Sequence, residues 1–94
     1  MLEKEIEREL VVECKKHGGQ CLKFITPSMM GVPDRILLFP KGKVGFVEVK
    51  RPKEVPRPIQ VRRIEQLRNL GFKVFILDNK RDIENIIKTM GGDA

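Results

Sequence analysis

GVPDRILLFPKGKVGFVEVK, residues 31–50, contains two short runs of alternating apolar residues separated by Lys41-Gly42-Lys43. The runs DRILLFP and VGFVEVK predict two strands, and the KGK between them predicts a tight hairpin turn. Among the charges of this stretch, Asp34, Glu48 and Lys50 fall where such strands should be buried. Alternation puts Val44, Phe46, Glu48 and Lys50 on one face of the second strand and Gly45, Val47 and Val49 on the other. Asp34 opens the first strand on the face of Ile36 and Leu38. Counting back from the turn, Asp34 meets the Glu48 and Lys50 end, so all three charges gather at one end of the hairpin.

Working outward, residues 2–17 place Leu2, Ile6, Leu10, Val11 and Cys14 at helical spacing, with Gly18-Gly19 as the stop. Residues 20–26 predict a strand closed by Pro27, and SMMGVP a loop. RPKEVPRP reads as a connector. A second helix is predicted from about Pro58 to Leu70, with Ile64, Leu67 and Leu70 as its stripe and Gly71 as its end signal. FKVFILD predicts a strand covered on both faces. Asp78 or Asn79 is expected to cap a last helix over 80–90 carrying Ile83, Ile86, Ile87 and Met90. The order is α-β-β-β-α-β-α. A strand-helix-strand crossover joins parallel strands, and the first three strands suit an antiparallel meander, so a mixed four-stranded sheet with packed helices is expected.

The first helix carries a second anomaly. At ~100° per residue, Glu3 and Glu7 fall inside its apolar arc, whereas Glu5, Glu9 and Glu13 lie at its edge or outside. A carboxylate facing a core costs several kcal/mol unless it is paired or holds a metal. Ion pairing explains each charge singly: Glu48 with Lys50, Asp34 as a turn cap, Glu3 and Glu7 with Arg35 or Lys23. Carboxylates converging on one strand end repel unless a cation sits among them, and oxygen ligands suit Mg²⁺ or Mn²⁺.

Composition sets the outer bounds. Ninety-four residues suit one domain, 1–94. No stretch approaches the ~18 uninterrupted apolar residues of a membrane span, and MLEKEIEREL is too acidic for a targeting peptide, so a cytoplasmic protein without a membrane partner is expected. The net charge is +6, with 19 Lys and Arg against 13 Asp and Glu. Residues 1–13 hold five glutamates, whereas residues 50–63 hold six cations and one acid, which makes a polyanion a plausible partner for that segment. Two cysteines and one histidine lack zinc-site spacing and read as two reduced, buried thiols and a lone imidazole. With five Phe and neither Trp nor Tyr, the chain is poorly equipped to bind single strands by stacking bases.

Pro33-Asp34, thirteen residues, then Glu48-Val49-Lys50 matches the PD-(D/E)XK motif. A Glu-bearing first helix, Gly-Val-Pro-Asp-Arg, Phe-Val-Glu-Val-Lys and a Gln opening the next helix together resemble the VRR-NUC nuclease family over about residues 2–79, notably its small stand-alone phage or bacterial type. The resemblance implies a restriction-endonuclease-like αβββαβ core with a C-terminal helix. It further implies that Asp34 and Glu48 are metal ligands with the Val49 carbonyl, that Lys50 is the catalytic lysine, and that Gln60 lies beside it. The helix glutamate is Glu3 or Glu7; the E-x-x-I pattern favours Glu3, with Glu7 close behind.

The activity so implied is an Mg²⁺- or Mn²⁺-dependent deoxyribonuclease acting on branched DNA such as Holliday junctions, as a homodimer, in the cytoplasm, or in the host's if phage-encoded. Arg35, Arg51, Lys53, Arg57, Arg62 and Arg63 are candidate DNA contacts. Met29, Met30, Val32 and the apolar residues of the last helix are candidate dimer contacts. A flap or DNA-end nuclease of the same fold, and a non-catalytic nucleic-acid-binding module, are the alternatives.

Overall fold

The hairpin of residues 31–50 forms the centre of the sheet. In the computed structural model, which describes residues 2–91, β2 (Arg35–Phe39) and β3 (Lys43–Val49) pair antiparallel, Arg35 opposite Val47 and Phe39 opposite Lys43. The connection is a 3₁₀ turn at Pro40–Gly42, one residue earlier than the predicted KGK turn, with Lys41 and Gly42 both at positive φ. Proline presets the first turn position, and the next two residues take the left-handed conformation that reverses the chain.

β1 (Gln20–Lys23) lies antiparallel on the outer side of β2, and β4 (Lys73–Leu77) lies parallel on the outer side of β3, in the order β1-β2-β3-β4. This is the expected mixed sheet. β1 is three residues shorter than predicted. Only one further ladder bond follows it, Phe24 N–H to the Asp34 carbonyl at 2.9 Å. The apolar pattern continues through Ile25, but that side chain is 80% exposed.

The sheet is covered on both faces. Leu37, Phe39, Val47, Val49 and Leu77 meet Ile6, Leu10 and Cys14 of α1 (Glu3–Lys16) and Ile83, Ile86 and Ile87 of α3 (Ile83–Thr89), and Met90 completes this main core. On the other face Ile36, Val44, Phe46 and Val74 meet Ile64 and Leu67 of α2 (Pro58–Asn69), with Phe24 tilted against the ring of Phe46 and Phe72 meeting it edge to face. β4 departs from its expectation at two apolar positions: Phe72 precedes the strand and is exposed, and Ile76 is exposed on what is an edge strand of the sheet. Gly45 is required by close packing, since a Cβ there would stand 2.8 Å from the Met90 sulfur. Cys14 and Cys21 are both buried, free, and hydrogen-bonded to one another.

The helix ends follow their sequence signals. Phe72 N–H reaches the Leu67 carbonyl and Gly71 N–H that of Arg68, a Schellman closure with Gly71 at φ +101. Leu70, predicted to belong to the apolar stripe, lies at this cap and is exposed. Asn79, not Asp78, is the cap that accepts an N–H, from Asp82 at 3.1 Å, and it caps a 3₁₀ turn (Lys80–Asp82) that leads into α3. The apolar residues of this last helix are all buried in the core, which removes them from the candidate dimer contacts. No helix is long and apolar enough to cross a membrane among the described residues.

Candidate active site

Asp34 precedes β2, Glu48 sits near the end of β3 and Lys50 follows that strand, so the antiparallel register brings all three to the same sheet end. Glu48 is 1% exposed. Its Oε2 accepts from Gln60 Nε2 at 2.6 Å and lies 3.1 Å from Lys50 Nζ. Its Oε1 is buried without a hydrogen-bond partner, the one such side-chain oxygen among the described residues. An ionised oxygen in this position is costly unless a cation or a proton donor meets it, so its surroundings suit a positive group.

Asp34 is fixed from the main chain. Its Oδ2 accepts from the Val49 N–H at 2.8 Å. Gln60 is fixed from both ends of its amide: Oε1 accepts from the Arg57 N–H at the start of α2, at 2.8 Å, which turns its NH₂ group toward Glu48. A helix N-terminus has unsatisfied N–H groups to offer, and here one of them sets a side-chain amide's orientation.

The electrostatics of the cluster are those of carboxylates crowded together. Burial pushes the Glu48 carboxyl up, the Asp34 charge adds to this, and Lys50 opposes it. Burial also raises Asp34, against the Val49 N–H bond, and the Glu7 charge adds to the rise. Glu3 is raised by burial and then by the Asp34 charge, and it feels Lys50 and Glu54 as well, so the first turn of α1 belongs to the same electrostatic cluster. Glu7, one turn on, acts on the same carboxylates and is itself paired: its Oε2 lies 2.6 Å from Arg35 Nε.

Among the described residues, no three His, Cys, Asp or Glu side chains are gathered closely enough to hold a metal as they stand. The donor chemistry nevertheless suits a hard divalent cation. It offers carboxylate oxygens only, one of them buried and unpartnered, and three acids whose charges oppose one another with one lysine to balance them.

The proposed DNA-facing cations divide by environment. Arg51, Lys53, Arg57 and Arg62 are exposed. Arg51 pairs with Glu54 at 3.2 Å, and Lys53 occupies a positive φ of 68° in the same turn. Residues 51–54 line an open hollow of about 490 Å³ directly after Lys50. Arg63 instead braces a loop, donating to the Met30 carbonyl at 2.7 Å and to Gln66 at 3.1 Å. Arg35 is only 14% exposed and is held by Glu7. Glu54 was not singled out from sequence; its position three residues after Arg51, in the only acidic interruption of a basic run, is the signal that could have found it.

Comparisons with known proteins give the family of the chain. The family model for the VRR-NUC domain matches residues 2–80. The chain is 45% identical over 85 residues to "Putative nuclease p44" of Acyrthosiphon pisum secondary endosymbiont phage 1, a match that spans 90% of each chain. A solved structure described as a VRR_NUC domain matches with a TM-score of 0.85 at 28% identity, covering 92% of this chain and 94% of its own. The Asp34, Glu48, Lys50 and Gln60 cluster lies within the matched residues, and the chain belongs to the VRR-NUC domain family, a family of nucleases.

Proposed function

We propose that the chain is a divalent-metal-dependent endonuclease that hydrolyses phosphodiester bonds of branched DNA. The observation that carries this reading is the buried, unpartnered Glu48 Oε1 beside Asp34 and Lys50. Asp34, Glu48 and Glu3, with the Val49 carbonyl, would hold Mg²⁺ or Mn²⁺, which when bound supplies Lewis-acid stabilisation of charge at the scissile phosphate.

The chain's own groups have separate tasks. Lys50 Nζ, held 3.1 Å from Glu48, presents a positive charge at the site's edge, where it can orient the attacking water or neutralise charge developing on the phosphate. Gln60 holds Glu48 in one rotamer through a bond whose direction is set by the Arg57 N–H. Glu3 is taken as the helix carboxylate of the site in preference to Glu7 because Glu7 is already paired with Arg35 at 2.6 Å, although the charges of both glutamates act within the cluster, that of Glu7 on Asp34.

Arg51, Lys53, Arg57 and Arg62 form an exposed basic surface next to Lys50, suited to phosphates more than to base edges. A homodimer would present two such sites to two strands. Met29 and Val32, which line an apolar groove of about 330 Å³ with Phe24 and Leu67, are its candidate contacts. The reaction would take place in the cytoplasm, in the host's if the chain is phage-encoded.

Duplex, flap and four-way-junction DNA, each incubated with Mg²⁺, Mn²⁺ or EDTA, test the reading. Metal-dependent cutting of the junction is expected, and it should be lost in Asp34→Asn and Glu48→Gln while DNA binding persists. Activity in EDTA would refute it, and preferential cutting of flaps or ends would replace junctions by that substrate.

A further inference from the structure

The helix carboxylate reaches the site from an end that has little of its own to hold it. Leu2, the N-cap of α1, makes no side-chain capping bond and is 61% exposed, and the first buried side chain of the helix is Ile6. Where Glu3 stands is therefore decided by what anchors the following turn. There the Glu7–Arg35 ion pair closes at 2.6 Å between two side chains only 24% and 14% exposed.

The positions of these two partners in the chain matter more than the bond itself. Arg35 is the residue after Asp34, and Glu7 is one helical turn after Glu3. The like charges of Glu3 and Glu7 toward Asp34 push α1 away from the start of β2, and the close contact of Glu7 with Arg35 holds the same two elements together within one turn of that point. We propose that Glu7 and Arg35 are a positioning pair, which sets the spacing of Glu3 from Asp34 and contacts neither the metal nor the DNA. This rests on the nuclease reading above, and it removes two residues from the sets that sequence assigned to catalysis and to phosphate contact.

The test compares Glu7→Ala, Arg35→Ala and the double swap Glu7→Arg with Arg35→Glu, using Glu3→Ala as the ligand control. Three readouts are needed: Mn²⁺ affinity by calorimetry, DNA affinity in EDTA over a series of salt concentrations, and kcat and KM for cleavage. The single variants are expected to weaken Mn²⁺ binding about 10- to 100-fold, the usual range for groups that orient ligands, and to lower kcat with KM for DNA little changed. The swap should restore most of the Mn²⁺ affinity, and Glu3→Ala should lose more than either single variant.

Each contrary result overturns the pair's role in a different way. If Arg35→Ala weakened DNA binding and reduced the salt slope by about one while Mn²⁺ affinity held, Arg35 would be a phosphate contact. If Glu7→Ala lost as much Mn²⁺ affinity as Glu3→Ala and the swap recovered none, Glu7 would be a ligand. Lower thermal stability with unchanged Mn²⁺ affinity would make the pair merely structural. A wild-type chain that bound no Mn²⁺ would overturn the nuclease reading itself, and that is visible before any variant is made.

Discussion

Replacing Glu48 by Gln separates a metal site from a structural ion pair, because the two readings give opposite signs. The substitution keeps the side chain's shape. Its carbonyl oxygen can still accept from Gln60 and Lys50, and its neutral NH₂ group replaces the unpartnered Oε1 and removes the charge that Asp34 opposes. Relief of a buried unsatisfied acceptor is worth about 1–3 kcal/mol, and weakening the charge-assisted bond to Lys50 gives back about 1 kcal/mol. Lys50 still has Asp34 and Glu3 as counter-charges. In EDTA, Glu48→Gln should therefore be more stable than wild type by about 1 kcal/mol, or about 4–8 °C in Tm for a domain of this size.

With Mn²⁺ at a hundred times its Kd the order should reverse, since binding to the folded state adds about 2.7 kcal/mol to wild type and much less to the variant. Thermal unfolding followed by circular dichroism, with EDTA and then with MnCl₂, reads both signs. A variant less stable than wild type by about 3 kcal/mol in EDTA, with no metal-induced shift in wild type, would identify Glu48 as half of a structural pair and refute the site.

Without metal, stability should fall as pH rises from the ordinary carboxylate range through the raised range of Glu48, Asp34 and Glu3, because the folded state then binds more protons than the unfolded one; urea titrations across pH should show that slope flattened in Glu48→Gln. Gln60→Ala should lower kcat and cost about 1–3 kcal/mol of stability, since it frees the Arg57 N–H and one donor to Glu48. Gly45→Ala should destabilise by about 1–3 kcal/mol through collision with Met90, leaving kcat unchanged below the transition. Alanine at Arg57 or Arg62 should weaken DNA binding across sequences and reduce the salt slope by about one each.

The hairpin was legible because two independent signals agreed there. Alternation assigned Glu48 and Lys50 to one face, and counting from the turn brought Asp34 to the same end; a turn displaced by one residue changed neither result. The ambiguity between Glu3 and Glu7 was intrinsic. Both lie on the inward arc one turn apart, and what distinguishes them is Arg35 on another element, which helical periodicity cannot see. The same tertiary contact took Arg35 out of the exposed basic surface. Leu70 and Ile25 continued apolar patterns past the points where a helix cap and a short edge strand ended them, because periodicity records which side chains could be buried and not whether a partner covers them.

The hairpin is also polar in a practical sense. The charged groups proposed to react stand at one end, and its turn, Pro40–Gly42, stands at the other, a five-residue strand or about 17 Å away. Lys41 at that tip is exposed. The tip is thus a natural handle: a fluorophore or a short peptide tag attached there would report on tumbling, pairing of copies or capture on a surface while leaving the chemistry at the far end untouched.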